Sequence, residues 1–249
     1  MLEVHEIRKD FGGLRALDSV SLTVPAGQIV GLIGPNGSGK STLLSVIAGM
    51  QPPTAGRILF DGEDITHAAP DTIFQLGLAR GFQDPSLFFQ MTVLDNVMLP
   101  VKRQRGEHPW YAPWRRFWNR QEMDNAVRAG DRLAQVKLHT QFDRRASDLS
   151  GGQMKLLEIA RCTMGSPKLI LLDEPTAGVA PALAYDIFRQ IETLRQETGT
   201  TFLIVEHRLD LLFDFVDSVY VMHMGNVLAH GKPAEIETNL DVREVYFGD

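Results

Sequence analysis

The chain has 249 residues, with 25 Lys and Arg against 31 Asp and Glu, and a formal net charge of −6 at pH 7. This balance argues against a protein that binds nucleic acid or anionic lipid through its bulk charge. The length suits one large α/β domain with an inserted subdomain, and the single Cys162 excludes an intrachain disulfide. No apolar run approaches the roughly eighteen residues that span a bilayer, and the N-terminus lacks the features of a secretory signal. We therefore expect a soluble, cytoplasmic chain that meets a membrane only through a partner.

Alternating apolar residues predict strands in the first part of the chain. Residues 2–7 nearly alternate with polar neighbours, and residues 20–24 alternate cleanly before Pro25. Phe11 lies between these segments, just before a Gly-Gly turn. An aromatic residue at such a position more often packs in a core or forms a loop tip than contacts a ligand. A further strand pattern at 56–60 ends at an Asp-Gly turn.

A glycine-rich stretch at residues 34–41 follows a buried strand pattern and precedes a helical one. In this setting G-x-x-x-x-G-K-[ST] indicates a phosphate-binding loop, because its N–H groups face one anion and the helix dipole adds positive potential. Lys40 would reach the β- and γ-phosphates, and the Ser41 hydroxyl would ligate Mg²⁺. The alternative, a chance glycine-rich turn, is disfavoured by both flanks. The predicted phosphate contacts are Gly34, Pro35, Asn36, Gly37, Ser38, Gly39, Lys40, Ser41 and Thr42.

The pattern becomes helical and mixed from about residue 70. Gln83 ends an element directly before Asp-Pro, where a polar side chain can face a ligand. Thr92 precedes an apolar pattern at 93–97 and predicts an N-capped helix start.

Residues 101–120 hold six Lys or Arg side chains, a single acid and all three tryptophans of the chain. Trp110, Trp114 and Trp118 are spaced i, i+4, i+8, and Pro113 is placed for a first helical turn. Three interpretations stay open. The stripe packs against a helical subdomain, it forms a surface near the membrane or a partner, or, against the acidic total, it binds nucleic acid.

Ser150 is suited to N-cap an amphipathic helix, so the N–H groups at Gly151 and Gly152, next to Gln153, would point outward. This would be a second anion-binding helix end, although Ser-Gly-Gly by itself is only a turn. The apolar strand that follows ends in Asp173 and Glu174.

An apolar strand that ends in Asp after a phosphate loop is the Walker B arrangement. Asp173 would hold the Mg²⁺ shell, and Glu174 would orient and deprotonate the attacking water. A solvated acidic turn is the alternative, and Lys40 disfavours it. His207 follows another strand, at the edge where open α/β sheets bind ligands, although a lone histidine there is usually structural. Two strand patterns around Gly225-Asn226 predict a hairpin.

Together these features resemble the ATP-binding-cassette (ABC) ATPases. The resemblance rests on the phosphate loop, Gln83, Leu-Ser-Gly-Gly-Gln at 149–153, Leu-Asp-Glu-Pro-Thr at 172–176 and His207, and it covers almost the whole chain. It implies an α/β fold, a P-loop NTPase (RecA-like) core with an antiparallel β subdomain and an inserted helical subdomain. The core would take about 1–83 and 166–249, and the helical subdomain with the signature motif about 84–165.

Several segments are similar more narrowly to the branched-chain amino acid uptake branch. They are residues 80–99, the Trp-rich insertion, Leu-Glu-Ile-Ala-Arg at 157–161 and Val-Tyr-Phe-Gly at 245–248. The resemblance implies an Mg²⁺-dependent ATPase that powers an importer of branched-chain or other hydrophobic amino acids. Relatives for urea or short amides share much of this pattern, and export of lipid or polysaccharide is the runner-up.

The resemblance also assigns roles by position. Phe11 resembles the aromatic that stacks on adenine, Gln83 the glutamine that touches Mg²⁺ or water and senses the membrane partner, and His207 the switch histidine at the γ-phosphate. The motif of Ser150, Gly151, Gly152 and Gln153 would complete the ATP site of the opposite subunit. The implied partners are a second cassette, identical or different, the permease subunits and indirectly a solute-binding protein, without nucleic acid. The chain would lie at the inner face of the membrane.

Ala180 departs from the family pattern, since relatives usually carry Asp or Asn there for cross-dimer polar contacts. We therefore expect an altered coupling between the two sites or an altered rate. Two further hypotheses come from other classes: a soluble ATP-driven clamp on nucleic acid or ribosomes, and an ATP-binding module without useful turnover.

Overall fold

The structure, a computed structural model, describes residues 1–81 and 86–247. The strands in these ranges are β1 Leu2–Phe11, β2 Leu14–Val24, β3 Ile29–Ile33, β4 Ala55–Phe60, β5 Glu63–Asp64, β6 Leu78–Arg80, β7 Leu169–Asp173, β8 Thr201–Val205, β9 Ser218–His223 and β10 Asn226–Gly231. The α-helices are α1 Lys40–Ile47, α2 Pro70–Leu76, α3 Val93–Met98, α4 Asn119–Gln135, α5 Gly151–Met164, α6 Pro181–Thr198, α7 Leu209–Phe213, α8 Pro233–Glu237 and α9 Leu240–Phe247.

The chain divides into two compact units. The first comprises Met1–Gln83, Lys168–Ala177 and Ala184–Asp249, and it holds both β-sheets. The second comprises Asp84–Pro167 with the short segment Gly178–Leu183, and it is helical. No described helix is long and apolar enough to cross a membrane.

A six-stranded sheet in the order β10-β9-β3-β8-β7-β6 forms the centre of the first unit. The pairs among β9, β3, β8, β7 and β6 are parallel, and β10 returns antiparallel to β9 in the predicted hairpin. Every residue of β3, β7 and β8 is buried, as expected for parallel strands that are covered on both faces. Because parallel strands end at one edge, the residues after β3, β7 and β8 meet there.

The second sheet of this unit is antiparallel, in the order β2-β1-β4-β5. Leu2 pairs with Val24 on one side and with Phe60 on the other, so the alternation in the sequence turns one apolar set of side chains inward. These side chains share one core with apolar residues of α1 and of the central sheet, including Leu43, Leu32 and Leu171. The predicted class, an α/β P-loop fold with an antiparallel β part, is confirmed.

The second unit is built from α3, α4 and α5. Thr92 caps α3 in a reciprocal capping box with Asp95, which confirms the predicted helix start. On α4 the buried positions Asn125, Ala129 and Leu133 recur every fourth residue and form its inner face.

The tryptophan stripe does not form a helix face. Residues 105–107 and 115–117 form two short 3₁₀ turns, and α4 begins only at Asn119. The interpretation that the stripe packs against the helical subdomain is wrong for Trp110 and Trp114, which are exposed.

Candidate functional site

The loop between β3 and α1 curls in a way that requires glycine at two positions. A Cβ on Gly34 would lie 2.2 Å from the carbonyl oxygen of Met222, and one on Gly39 would lie 2.7 Å from the carbonyl oxygen of Ala16. Both glycines also have positive φ, 152° and 102°. Close backbone contact and left-handed geometry together exclude a larger residue at these two positions.

The N-terminus of α1 has no side-chain cap, because its N-cap is Gly39. Lys40 is buried at this end, and its Nζ donates to the carbonyl oxygens of Gly34, at 2.8 Å, and Pro35, at 3.0 Å. Burial lowers the pKa of Lys40, while the nearby carboxylates of Glu174 and Asp173 oppose that shift. The loop therefore combines open backbone N–H groups with a desolvated cation, which suits an anionic ligand.

Ser41 and Asp173 lie side by side although they are far apart in sequence. The Ser41 hydroxyl donates to Oδ1 of Asp173 at 3.3 Å, and Nη2 of Arg80 lies 3.5 Å from Oδ2. Arg80 is buried, which lowers its pKa, and Asp173 counteracts that shift. No sequence motif assigns a role to this guanidinium.

A hydroxyl and a carboxylate are hard oxygen ligands of the kind that Mg²⁺ takes together with phosphate and water. No cluster of three or more His, Cys, Asp or Glu suited to a metal occurs within residues 1–81 and 86–247. The Ser41–Asp173 pair therefore fits an Mg²⁺ ion that shares its coordination with a bound phosphate, and it does not fit a metal held by protein alone.

Glu174 and His207 also meet at this edge. Nε2 of His207 lies 2.8 Å from Oε1 of Glu174, and both side chains are partly exposed, at 39% and 18% respectively. Glu174 has φ 49°, a left-handed value that is uncommon for a residue with a side chain. Its N–H donates to the carbonyl oxygen of Val205, the last residue of the neighbouring strand. The turn after β7 thus holds this carboxylate facing the histidine after β8.

Glu206 is a buried carboxylate that joins these two turns. Oε1 accepts from the N–H of Thr176, at 3.1 Å, and from the Thr176 hydroxyl. Oε2 accepts from the N–H of His207, at 2.8 Å, and from the N–H of Arg208, at 3.4 Å. No sequence motif points to Glu206, and its one signal in the sequence is an acid directly after an apolar strand.

A cleft of about 350 Å³ opens in front of the phosphate loop. Phe11, which is 43% exposed at the end of β1, lines this cleft together with Lys40, Glu174 and His207. Arg15, which pairs with Asp10 and Asp18, also lines it and was not predicted. The remaining lining residues are Leu14, Ala16, Asn36, Gly37, Gly39, Ser41 and Thr42. Nine of the predicted site residues therefore line one cleft of the first unit, whereas Gly34, Pro35, Ser38 and Asp173 do not line it.

The signature motif lies in the second unit, at the start of α5. The Ser150 Oγ accepts from the N–H of Gln153 at 3.3 Å, while Oε1 of Gln153 accepts from the N–H of Ser150 at 2.9 Å. The predicted N-cap at Ser150 is therefore present, and the reciprocal bond from Gln153, which was not predicted, completes a capping box. At Gly152 a Cβ would lie 2.0 Å from Leu183, so a side chain is excluded unless that leucine moves. Gln83, predicted to contact Mg²⁺ or water, lies outside the described residues.

A mostly parallel sheet with a glycine-rich loop, a buried lysine and a Ser–Asp pair at one edge defines a P-loop nucleotide-binding protein. Within that class, the family model for ABC transporters matches residues 17–177. The chain belongs to the ABC transporter family, as one of its ATPase cassettes, and the predicted family is confirmed.

The chain is similar over its whole length to several curated proteins. It is 42% identical to the probable branched-chain amino acid transport ATP-binding protein LivG of Methanocaldococcus jannaschii, covering 100% of this chain and 98% of that protein. It is 36% identical to the high-affinity branched-chain amino acid transport ATP-binding protein BraF of Pseudomonas aeruginosa, with the same coverage.

Solved structures agree with this fold. The ADP conformation of MJ1267, an ATP-binding cassette of an ABC transporter, superposes with a TM-score of 0.87 at 42% identity, covering 100% of this chain and 99% of that one. The dimeric structure of MJ0796, a bacterial ABC transporter cassette, gives a TM-score of 0.80 at 26% identity, covering 94% and 99%.

Proposed function

We propose that this chain is the Mg²⁺-dependent ATPase subunit of an ABC importer for branched-chain or similar hydrophobic amino acids. The observation that carries the proposal is the gathering of Lys40, Asp173, Glu174 and His207 at one sheet edge in front of the cleft. The substrate class is inferred from relatives that are similar over the full chain and are named as branched-chain amino acid transport proteins.

In this proposal the phosphate loop and Lys40 bind the triphosphate, and Phe11 stacks on the adenine ring. Ser41 and Asp173 would hold Mg²⁺, with Gln83 as a further contact, and a bound ion would supply neutralisation of phosphate charge. Arg80 keeps the Asp173 carboxylate oriented from its other oxygen. These groups position the reactants and stabilise charge, which is the main task of a protein in phosphoryl transfer.

Glu174 is the general base in the proposed reaction. Its carboxylate would accept a proton from the attacking water. Nε2 of His207 lies 2.8 Å from Oε1 of that carboxylate and would hold it in place, and His207 would contact the γ-phosphate once ATP is bound. Glu206 would keep both residues in position, because it accepts hydrogen bonds from the N–H of His207 and from the N–H of Thr176 in the turn after Glu174.

The proposed working unit is a head-to-tail dimer of cassettes, with an identical or a different partner. Ser150, Gly151, Gly152 and Gln153 of one chain would contact the γ-phosphate bound by the other, so that ATP lies between two positive helix ends. Hydrolysis removes the bridging charge and lets the dimer open. Permease subunits at the inner face of the membrane would take up this motion, and a solute-binding protein would deliver the substrate.

The biochemical test is phosphate release by the purified chain. We expect turnover that requires Mg²⁺ and is lost with EDTA, and a Glu174→Gln variant that binds ATP, hydrolyses it at least about a hundredfold more slowly and accumulates as a dimer. Undiminished turnover of Glu174→Gln would remove Glu174 as the base. Turnover that persists in EDTA would remove the metal from the proposal.

The transport role is tested in the host organism. Deleting the gene should lower uptake of radiolabelled leucine, isoleucine and valine. The wild-type chain should restore that uptake, and the Glu174→Gln variant should not. A deletion strain that loses uptake of urea or a short amide instead, with normal leucine uptake, would keep the ATPase but reassign the substrate.

A further inference from the structure

The segment from Arg105 to Phe117 exposes an unusual number of aromatic side chains. The exposed fractions are 79% for Trp110, 44% for Tyr111, 58% for Trp114 and 44% for Phe117. Aromatic residues at this density on a surface usually mark an interaction site. We call these four residues, with Arg105, Arg115 and Arg116, the aromatic–arginine surface.

Contacts within the segment and with α4 hold the aromatic–arginine surface in place. Nε1 of Trp118 donates to the carbonyl oxygen of Ala112 at 3.2 Å, and the Trp118 ring covers Gly106. Gln121 on α4 accepts from the N–H of Arg105 at 2.8 Å and donates to the carbonyl oxygen of Arg103 at 3.1 Å. Trp118 thus provides the internal packing of the segment, which leaves the other two tryptophans outside it.

The charge of this segment is opposite to that of the chain. Residues 101–120 carry six basic side chains and one acid, whereas the whole chain has a net charge of −6. Arg105, Arg115 and Arg116 form no ion pair with any acid in the described parts of the chain. Arg115 donates to the Asn119 amide oxygen, and the Arg116 guanidinium lies 4.9 Å from the Phe117 ring centre. These cations therefore stay available to an external anion.

We propose that the aromatic–arginine surface docks on an anionic phospholipid bilayer. Trp and Tyr rings settle at headgroup depth, and each nearby Arg gains from the negative surface potential. The net charge of −6 would not attract the whole chain to such a surface, so the attraction is confined to this patch. The proposal therefore departs from the expectation that the chain meets a membrane only through a partner. The choice of lipid over permease rests on the proposed function. Cytoplasmic loops of membrane proteins carry an excess of Lys and Arg, which would repel this patch.

The experiment is co-sedimentation of the purified chain with large vesicles. One set contains only phosphatidylcholine, and the other includes about a third phosphatidylglycerol, both at low ionic strength because salt screens the attraction. We expect binding to the anionic set only, with loss of binding at high salt. The double variant Arg115→Gln/Arg116→Gln should bind roughly thirtyfold more weakly, as expected for two cations near an anionic surface. Trp110→Ser/Trp114→Ser should also lose binding.

A matched control removes exposed apolar side chains elsewhere. Met224 and Leu240 are 76% and 77% exposed and lie outside the segment, so Met224→Ser/Leu240→Ser should bind as the wild type does. All variants should keep the wild-type melting temperature and ATP turnover in solution.

Three outcomes would overturn the proposal. They are no sedimentation with anionic vesicles, equal binding to neutral vesicles, and an equal loss in the control variant. The first would assign the surface to a protein partner. None of them bears on the transport proposal, because the assay contains no permease.

Discussion

The two candidate anion-binding helix ends of this chain, on α1 and on α5, are built in opposite ways. The α1 end has Gly39 as its N-cap and no side-chain hydrogen bond to its first turn, and the buried Lys40 stands beside it. The α5 end closes on itself, because Ser150 and Gln153 satisfy each other's backbone N–H groups. One end leaves its donors to a ligand, and the other is already capped.

The difference predicts a division of labour. At α1 a bound phosphate would take the place of the missing side-chain cap, so phosphate binding would also satisfy the N–H groups of the first turn. At α5 the Ser150 oxygen already accepts the N–H of Gln153, so this side chain can offer an incoming phosphate only its hydroxyl proton. We therefore expect α1 to provide most of the nucleotide affinity and α5 to sense the phosphate once the partner has bound it.

The largest expected effect comes from removing the cation at α1. Lys40→Met should lower ATP turnover by about a thousandfold, since the loop loses its desolvated charge, and should weaken ATP binding as well. Phosphate release and nucleotide titration measure the two effects. The control is Lys168→Met, which removes an exposed lysine paired with Asp61 and should stay near the wild-type rate. Turnover within twofold of the wild type for Lys40→Met would contradict the assigned role of α1.

The next prediction tests whether Ser150 contacts the nucleotide of its own chain or the nucleotide of the partner chain. Ser150→Ala and Lys40→Met chains are each expected to be nearly inactive. When equal amounts are mixed, half of the dimers should be mixed and keep one intact composite site. About a quarter of the wild-type activity should then return, provided that the sites act independently. Activity that stays at the sum of the two variants would mean that Ser150 serves its own chain.

A smaller effect is expected from replacing Glu206, the buried carboxylate that contacts the turns after β7 and β8. Glu206→Gln puts an NH₂ group where a carboxylate oxygen now accepts N–H or O–H donors, so it leaves buried donors unpaired at a cost of about 1–3 kcal/mol. We expect kcat to fall about tenfold or more with little change in the KM for ATP, because in the proposed mechanism Glu206 positions His207 and takes no part in nucleotide binding.

Two matched variants sharpen that test. Thr176→Val keeps the carboxylate and removes one donor, so its loss of kcat should be the smaller of the two. Glu192→Gln, on α6 in the same unit, should leave both kinetic constants unchanged. A Glu206→Gln enzyme that melts earlier but retains its kcat would reduce Glu206 to a structural role.

The smallest expected effect comes from a variant that breaks the capping box of α5 but keeps the Ser150 hydroxyl. Gln153→Ala should lower the free energy of unfolding by about 1 kcal/mol, as the loss of a capping partner does, and should reduce turnover only a few-fold. Ser150→Ala should lower stability by a similar amount but turnover far more. Denaturant unfolding and phosphate release compare the two variants. Equal effects on turnover would show that α5 contributes its cap and not a phosphate contact.

Much of the site could be predicted because many of its residues lie in short, contiguous sequence motifs. The phosphate loop needs glycine where the chain curls and lysine where it ends, so residues 34–41 predicted their own strand–turn–helix setting, and the structure has it. The hairpin at Gly225 and the caps at Thr92 and Ser150 followed from local rules in the same way.

The tertiary structure alone decided the pairings across long stretches of chain. Glu206 meets Thr176, and Arg80 meets Asp173, only because β6, β7 and β8 are neighbours in one parallel sheet. The tryptophan spacing was misleading for a related reason, since a period of four predicts one helix face only if the segment is helical. Local propensity and turn chemistry can be read from adjacent residues, whereas strand order and packing depend on contacts between distant ones.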